Sequence, residues 1–204
     1  MKKTYFILLR LIPIVSLIGL CPVHGPAQTQ PVKAEPPILL TSCGQSPGPV
    51  MLKVFLQRLK LEYELNPLAS AADLKGKTQA GNAFKTVIIV MGASLKGMGA
   101  AGISIEDELK RAAALITEAR SLKIKVIGAH VEGMKRRSQG AAAGDTTDEQ
   151  SIDAVAPNSD ILLVNKEGNS DGRFSTIAAA KKIPLIEVEK NMDLLVELEK
   201  LFQK

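Results

Sequence analysis

Residues 86–91 read Thr-Val-Ile-Ile-Val-Met, an aliphatic run in which only the first residue is polar. A strand that is covered on both faces carries such a continuous apolar run, whereas a strand with one solvated face alternates apolar and polar residues. This run therefore predicts a central strand of a parallel sheet, with helices packed on both faces.

Apolar runs and amphipathic stretches alternate on either side of this strand. The predicted strands cover residues 38–42, 61–65, 86–91, 125–131, 161–164 and 184–188. The predicted helices cover residues 47–59, 69–74, 104–122, 146–155, 170–182 and 192–202, and Ser46 and Ser104 are the expected N-caps of two of them. Regular alternation predicts an α/β fold: a three-layer, doubly wound domain with a mainly parallel sheet of about six strands, flavodoxin-like or Rossmann-like. The alternating residues 61–65 predict an edge strand.

The first 27 residues have the composition of a secretory signal peptide. Lys2 and Lys3 precede an apolar run that ends at Leu20, and Gly25 and Ala27 fit the small positions of a cleavage site. We therefore expect an exported protein, located in the periplasm, the cell envelope or the extracellular space.

The rest of the chain is predicted to be a polar linker, residues 28–36, and a single α/β domain, residues 37–204. A lipid anchor at Cys21 is the alternative to cleavage, although Leu20 is bulkier than the residue that a lipobox requires before its cysteine. Membrane contact is expected only through the signal peptide or this anchor.

The net charge of +5 comes largely from the same N-terminal segment. Without residues 1–27 the chain has 23 basic and 21 acidic side chains. A domain this close to neutral is not basic enough overall for the footprint of a nucleic-acid backbone, so no nucleic-acid partner is expected.

In open parallel sheets, ligands bind outside the carboxyl ends of the strands. This rule selects glycines, hydroxyl and amide residues and one lysine after strands one, three and five, and predicts that they contact a small polar or anionic ligand. They are Thr41, Ser42, Gly44, Gln45, Ser46, Gly92, Ser94, Lys166 and Asn169.

Cys43 is the most reactive residue type in this region, and it lies between a strand and a helix N-terminus. Such a position is expected to lower the pKa of a thiol. His130 and Glu132 follow strand four, so the three residues form a candidate catalytic set with Cys43 as nucleophile or metal ligand. The three residues could also be ligands of a metal such as zinc, although their spacing matches no recognised metal motif, and the cofactor is left unknown. A buried, inert cysteine and a histidine packed on the sheet are the alternatives.

Two further segments resemble functional motifs. Residues 97–102 match G-x-G-x-x-G literally, but they follow strand three after a gap, and the next helix begins with acidic residues that would repel a pyrophosphate. We interpret them as a flexible Gly-rich loop over the cleft. Lys135-Arg136-Arg137 opens a long loop and is interpreted as a solvated basic run.

Three segments carry a resemblance to a known family: residues 41–48 (Thr-Ser-Cys-Gly-Gln-Ser-Pro-Gly), the Gly-rich turn after Met91, and residues 165–169 (Asn-Lys-Glu-Gly-Asn). Over about residues 37–203 the chain resembles an exported bacterial α/β family catalogued as a domain of unknown function. The resemblance implies export and a single domain, but no activity.

Three hypotheses about function follow. The first is an exported domain that binds a small ligand. The second is an enzyme that uses Cys43 with His130 and Glu132. The third is an interaction module of the cell envelope without a small-molecule site.

Overall fold

Six parallel strands form one sheet in the computed structural model, which describes Met1, residues 33–137 and residues 146–203. The strands are β1 Ile38–Cys43, β2 Tyr63–Leu65, β3 Thr86–Met91, β4 Lys125–His130, β5 Ile161–Asn165 and β6 Leu185–Val188. Their order is β2-β1-β3-β4-β5-β6, with β2 at one edge as the alternating pattern predicts. This is the flavodoxin-like order, so the predicted α/β class is confirmed.

Helices cover both faces of the sheet. In the described part of the chain they are α1 Gly48–Arg58, α2 Ala71–Gln79, α3 Leu95–Ala101, α4 Ile105–Ser121, α5 Thr147–Val155, α6 Arg173–Lys181 and α7 Leu194–Phe202. One apolar core joins α1 and α7 to the sheet, and the other joins α2, α4, α5 and α6 to its opposite face. All six residues of β3 are buried, because its side chains point alternately into the two cores.

The residues 97–102 form a helix and its cap, so the expected Gly-rich loop is wrong. Ser94 accepts the Gly97 N–H and caps the N-terminus of α3, and Gly102 ends this helix in the left-handed conformation at φ 66°. A Cβ on Gly97 would lie 2.1 Å from the Gln45 carbonyl oxygen. The glycine pattern thus reflects the close approach of α3 to the Gln45 backbone and a left-handed helix cap at Gly102, not a phosphate cradle.

Residues 33–36, the described part of the predicted linker, are bonded to the domain. The Ala34 N–H donates to the Leu201 carbonyl (2.9 Å), and Ala34 itself is buried. Residues 2–32, with the predicted signal peptide, the cleavage site and Cys21, lie outside the described residues. Among the residues described, no helix combines the length and apolarity needed to cross a bilayer.

Candidate functional site

The order of the strands places the topological switch point between the carboxyl ends of β1 and β3, where seven of the nine predicted ligand residues lie. The two loops that follow these strands touch each other there. The Ser94 N–H donates to the Gly44 carbonyl (2.7 Å), and Gln45 pairs with Ala93 in an isolated antiparallel bridge. A Cβ on Gly44 would lie 2.5 Å from the Gly92 carbonyl oxygen. The loops therefore fill the crevice that a ligand would enter.

Most polar groups of these predicted residues hydrogen-bond within the protein. Glu108, which is fully buried, accepts the Gly44 N–H (2.9 Å) and the Gln45 side-chain amide (2.7 Å) through Oε1. Ser151 accepts the Gly92 N–H (2.9 Å) and donates to the Cys43 carbonyl (2.6 Å). Three of the remaining hydroxyls are also bonded: Thr41 donates to the Pro67 carbonyl, Ser46 accepts the Gly48 N–H, and Ser94 caps α3. The Ser42 hydroxyl is buried and has no hydrogen-bond partner among the described residues.

Cys43 is fully buried on the face of the sheet that α4 and α5 cover. Loss of solvation raises the pKa of its thiol from 9.0 to about 12, and the Ser151 hydroxyl only partly opposes this shift. The expected lowering of this pKa is therefore wrong. Cys43 ends β1 and points into the core, and the helix that follows begins five residues later, at Gly48.

We expect the Cys43 thiol to be inert toward a thiol reagent in the native protein. A pKa of about 12 leaves about a thousandfold less thiolate at pH 8 than a pKa of 9.0, and burial adds a steric barrier. The measurement is the rate of labelling by dithionitrobenzoate in a Cys21→Ser variant, in native buffer and in urea. Fast native labelling with a midpoint below pH 8.5 would restore Cys43 as a candidate nucleophile.

Cys43, His130 and Glu132 do not contact one another. Cys43 on β1 pairs in register with Met91 on β3, and His130 lies on β4, the strand beyond β3. Cys43 and His130 are therefore two strands apart, a total of roughly 9–10 Å across the sheet. The side chain of Met91 lies between them in the same core. The Glu132 carboxylate accepts the Gly48 N–H (3.1 Å) and the Arg136 Nε–H (3.2 Å).

Both ring nitrogens of the buried His130 face backbone carbonyl oxygens. Nδ1 lies 3.3 Å from the Met91 oxygen and Nε2 lies 3.1 Å from the Gly133 oxygen, while the Phe174 ring centroid is 5.1 Å away. A neutral imidazole has one N–H and so donates to only one of the two. Burial lowers the pKa of His130 more than the two carbonyls raise it.

This depressed pKa predicts that acid destabilises the fold near pH 6. The unfolded imidazole takes up a proton as the pH falls below 6.5, whereas the folded one resists. The free energy of unfolding is therefore complete above pH 6.5 and should fall by up to about 1.4 kcal/mol per pH unit between this value and the folded pKa. Urea unfolding of the native chain and of His130→Asn between pH 8 and pH 5 measures this slope, and a slope unchanged in the variant would assign it to other groups.

Lys166 and Asn169 lie on the turn after β5. Lys166 is exposed and pairs with Glu189. Asn169 is buried, and its side chain accepts the Phe174 N–H (2.7 Å) and donates to Glu187 (2.7 Å). Asn169 thus holds the start of α6, as a helix-capping side chain does.

A cavity of about 510 Å³ opens at the carboxyl ends of β4 and β5, on the side of α1. We call it the carboxyl-edge cavity. Its lining consists of Pro47, Met51, Val131, Glu132, Gly133, Lys135, Arg136, Asn165, Glu167 and Asn191. Of the predicted site residues, only Glu132 belongs to this lining.

The lining combines charges of both signs with amides. Arg136 is held by Glu132 and by the Ala93 carbonyl (2.8 Å), and Asn165 donates to Asn191 (3.0 Å). The Lys135 ammonium and the Glu167 carboxylate have no ion pair within residues 33–137 and 146–203. The cavity can therefore offer a cation, an anion and amide groups to one polar ligand.

The interpretation of Lys135-Arg136-Arg137 as a solvated run is wrong for two of its residues. Arg136 bonds to Glu132, and Arg137 is buried, with ion pairs to Glu149 (2.7 Å) and Asp171 (2.6 Å). Residues 133–136 form a 3-10 turn that directs these bases inward. The loop that continues from Arg137 through residues 138–145 lies outside the described residues.

Sequence reasoning overlooked most of the residues that line the cavity. Asn165, Glu167 and Asn191 each follow or end a strand, so the rule for strand ends could have found them. Within the described ranges, no cluster of three His, Cys, Asp or Glu side chains has a geometry suited to a metal ion.

Three solved structures are similar to the chain at a low level. A GDSL-like lipase from Bacteroides thetaiotaomicron is 17% identical over 76% of this chain and 71% of that one, with a TM-score of 0.34. An acetyl xylan esterase is 12% identical over 82% and 86%, with a TM-score of 0.38. A mutant of the esterase AlinE4 is 12% identical over 82% of each chain, with a TM-score of 0.31. Likeness at this level carries no argument about activity.

A comparison with curated proteins finds no match. A family model matches residues 35–202, which is most of the chain and nearly the segment that the sequence motifs indicate. The chain therefore belongs to the family described as a domain of unknown function, DUF6305.

Proposed function

We propose that this protein is an exported domain that binds a small polar ligand in the carboxyl-edge cavity. The observation that carries the proposal is the lining itself: Lys135 and Glu167, both exposed and without an ion-pair partner in the described ranges, share one cavity with the Asn165–Asn191 amide pair. Pockets that orient a small ligand use a few such convergent polar groups. The N-terminal sequence, with its basic residues, apolar run and small-residue site, supports the proposed export.

The lining suggests the chemical class of the ligand. Lys135 would bind a carboxylate or another anionic group, and Glu167 would bind an ammonium or hydroxyl group. Asn191 has a side-chain amide that can donate to a second acceptor, because its Oδ1 already accepts from Asn165 (3.0 Å). A small molecule with separated anionic and hydrogen-bond-donating ends, such as an amino acid or an acidic sugar, matches this arrangement.

The cavity also differs from the crevice between β1 and β3. In that crevice Gly44, Gln45 and Gly92 already hydrogen-bond to Glu108 and Ser151. A ligand there would have to break these buried bonds, whereas a ligand in the cavity would replace water on exposed groups. The enzyme alternative lacks a specific supporting contact, because the Cys43 thiol is buried and bonds neither His130 nor Glu132.

The test is ligand-detected NMR with a panel of amino acids and uronic acids on the full chain. For any compound that binds, Lys135→Gln should weaken affinity about tenfold or more, since hydrogen bonds to charged groups contribute about 1.5–3 kcal/mol. Glu167→Gln should weaken the binding of compounds that carry an ammonium group, but not the binding of compounds that lack one.

Lys166→Gln is the matched control, because Lys166 is an exposed lysine on the same edge that does not line the cavity. All three variants should keep the melting temperature of the native chain, as exposed substitutions usually do. An equal loss of affinity in Lys166→Gln would show that general charge, not the cavity, attracts the compound. Absence of binding across the panel would favour the interaction module without a small-molecule site.

A further inference from the structure

Lysines gather at the end of the sheet opposite the carboxyl-edge cavity. All six strands are parallel, so they all begin at one edge, which we call the amino edge. The basic residues there are Lys33, Lys60, Lys85, Lys123, Lys125, Lys181 and Lys182. The near-neutral composition of the domain does not reveal this asymmetry, because a composition does not say at which edge each charge lies.

Four of these side chains line one cavity. Lys33, Lys85, Lys123 and Lys125, with Ala34 and Glu35, enclose about 280 Å³. Two hydrogen bonds hold them together: the Lys125 N–H donates to the Lys85 carbonyl (3.0 Å), and the Lys125 ammonium donates to the Lys33 carbonyl (2.5 Å). The lysines of this cluster therefore come from the starts of β3 and β4 and from the segment before β1.

The charges of this cluster are not neutralised by the described acids. None of the four lysines forms an ion pair within residues 33–137 and 146–203. Glu35 is the one acidic residue in the lining of the cavity, and Asp160 on the same edge accepts the Val126 N–H (2.8 Å). The cluster therefore keeps a net positive charge.

Helix dipoles account for only part of the pattern. Bases such as Lys181 lie in the last turn of a helix, where they complement its negative end. Lys33, Lys85 and Lys125 lie before or at the start of strands, outside any helix. The Lys33 ammonium does serve a helix end, because it donates to the Lys200 (3.0 Å) and Gln203 (3.2 Å) carbonyls at the end of α7. Capping of helix ends gives no such reason for Lys85 and Lys125.

The chain also enters the domain at this edge. Lys33 follows the N-terminal segment, whose apolar run ends at Leu20. From Cys21 to Lys33 the chain can span at most about 40 Å. A lipid at Cys21 would therefore keep Lys33, and the amino edge beside it, within about 40 Å of a bilayer.

We infer that the amino edge docks on membranes that contain anionic phospholipids, with Lys85, Lys123 and Lys125 binding the phosphate headgroups. Lysines near an anionic bilayer each strengthen binding by about fivefold at low salt. Docking by this edge would leave the carboxyl-edge cavity facing away from the membrane, because the two lie at opposite ends of the strands.

The test is lysine acetylation of the full chain, read residue by residue by mass spectrometry. Phosphatidylcholine vesicles with phosphatidylglycerol should protect Lys85, Lys123 and Lys125 at low salt, and high salt should remove this protection. Vesicles of phosphatidylcholine alone should not protect them, and neither should inorganic phosphate. Protection by inorganic phosphate alone would replace the membrane surface with a free-anion site, and equal protection of Lys96, Lys166 and Lys190 would overturn the assignment to this edge.

Charge reversal gives a second readout with a matched control. The triple variant with Lys85→Glu, Lys123→Glu and Lys125→Glu should lose at least about tenfold of the phosphatidylglycerol-dependent sedimentation with vesicles. The control, Lys96→Glu with Lys166→Glu and Lys190→Glu, changes the net charge equally at the other edge and should lose little. Equal losses would contradict the inference, and acetylation of the native chain decides the matter if the amino-edge variant fails to fold.

Discussion

Replacing Glu108 with alanine is expected to lower the free energy of unfolding by about 3–5 kcal/mol, the cost of removing one partner of a buried ion pair. The Glu108 carboxylate is fully buried and accepts two bonds from Arg111 (2.9 Å each), whose side chain is only 11% exposed. The variant would leave this guanidinium without a counter-charge and the Gly44 N–H without an acceptor. Urea unfolding at pH 7 measures the loss.

Two further variants separate the buried pair from other effects on α4. Glu106→Ala changes an exposed acid on the same helix and should alter the stability by no more than about 0.5 kcal/mol. Arg111→Met in the Glu108→Leu background removes both charges and should recover much of the loss, because an apolar pair can replace a buried ion pair. A loss below about 1 kcal/mol in Glu108→Ala would mean that water solvates Arg111 in place of the carboxylate.

Arg137→Met is expected to cost about 2–4 kcal/mol, somewhat less than a fully buried pair because the Asp171 side chain is 31% exposed. The Arg137 side chain is 2% exposed, bonds Glu149, Asp171 and the Gly168 carbonyl, and lies 5.8 Å from the centre of the Phe174 ring. It therefore connects the turn after β4 to α5 and to the segment before α6. Thermal and urea unfolding measure the loss, and Lys135→Met is the matched control from the same turn.

The effect of Arg137→Met should shrink in acid. The guanidinium holds the pKa of Asp171 well below its usual value of 3.8. The resulting stabilisation is complete above that value and is lost as the pH falls through the folded pKa. The unfolding free energies of the native chain and the variant should therefore converge as the pH is lowered below 3.8. A difference that stays constant with pH would assign the role of Arg137 to packing against Phe174.

The elements with strong local patterns could be predicted from the sequence. The aliphatic residues 86–91 form β3, and residues 104–122 contain α4, whose N-cap is Ser104 as expected. These patterns succeed because period and capping act between residues close in the chain. The glycines 97–102 show the limit of this reasoning, since the contact between Gly97 and the Gln45 carbonyl joins residues 52 positions apart.

The candidate site could be predicted only by region. The rule for strand ends directs attention to the edge where β1, β3, β4 and β5 finish, which is the edge where the carboxyl-edge cavity opens. It does not distinguish polar groups that hydrogen-bond to each other from polar groups that remain open. Gln45 is bonded to Glu108, whereas Glu167 lines the carboxyl-edge cavity, although each follows a strand.

The sequence by itself determined the class of fold and the edge that carries the polar loops, because hydrophobic period and helix caps are local properties of the chain. Only the tertiary structure decided that Cys43 is buried, that Arg137 points inward, and that Lys33, Lys85 and Lys125 meet at one edge. Burial and ionisation depend on neighbours that are distant in sequence. The pKa of the Cys43 thiol beside Ser151, and that of the Arg137 guanidinium between Glu149 and Asp171, shift only when the fold brings these neighbours together.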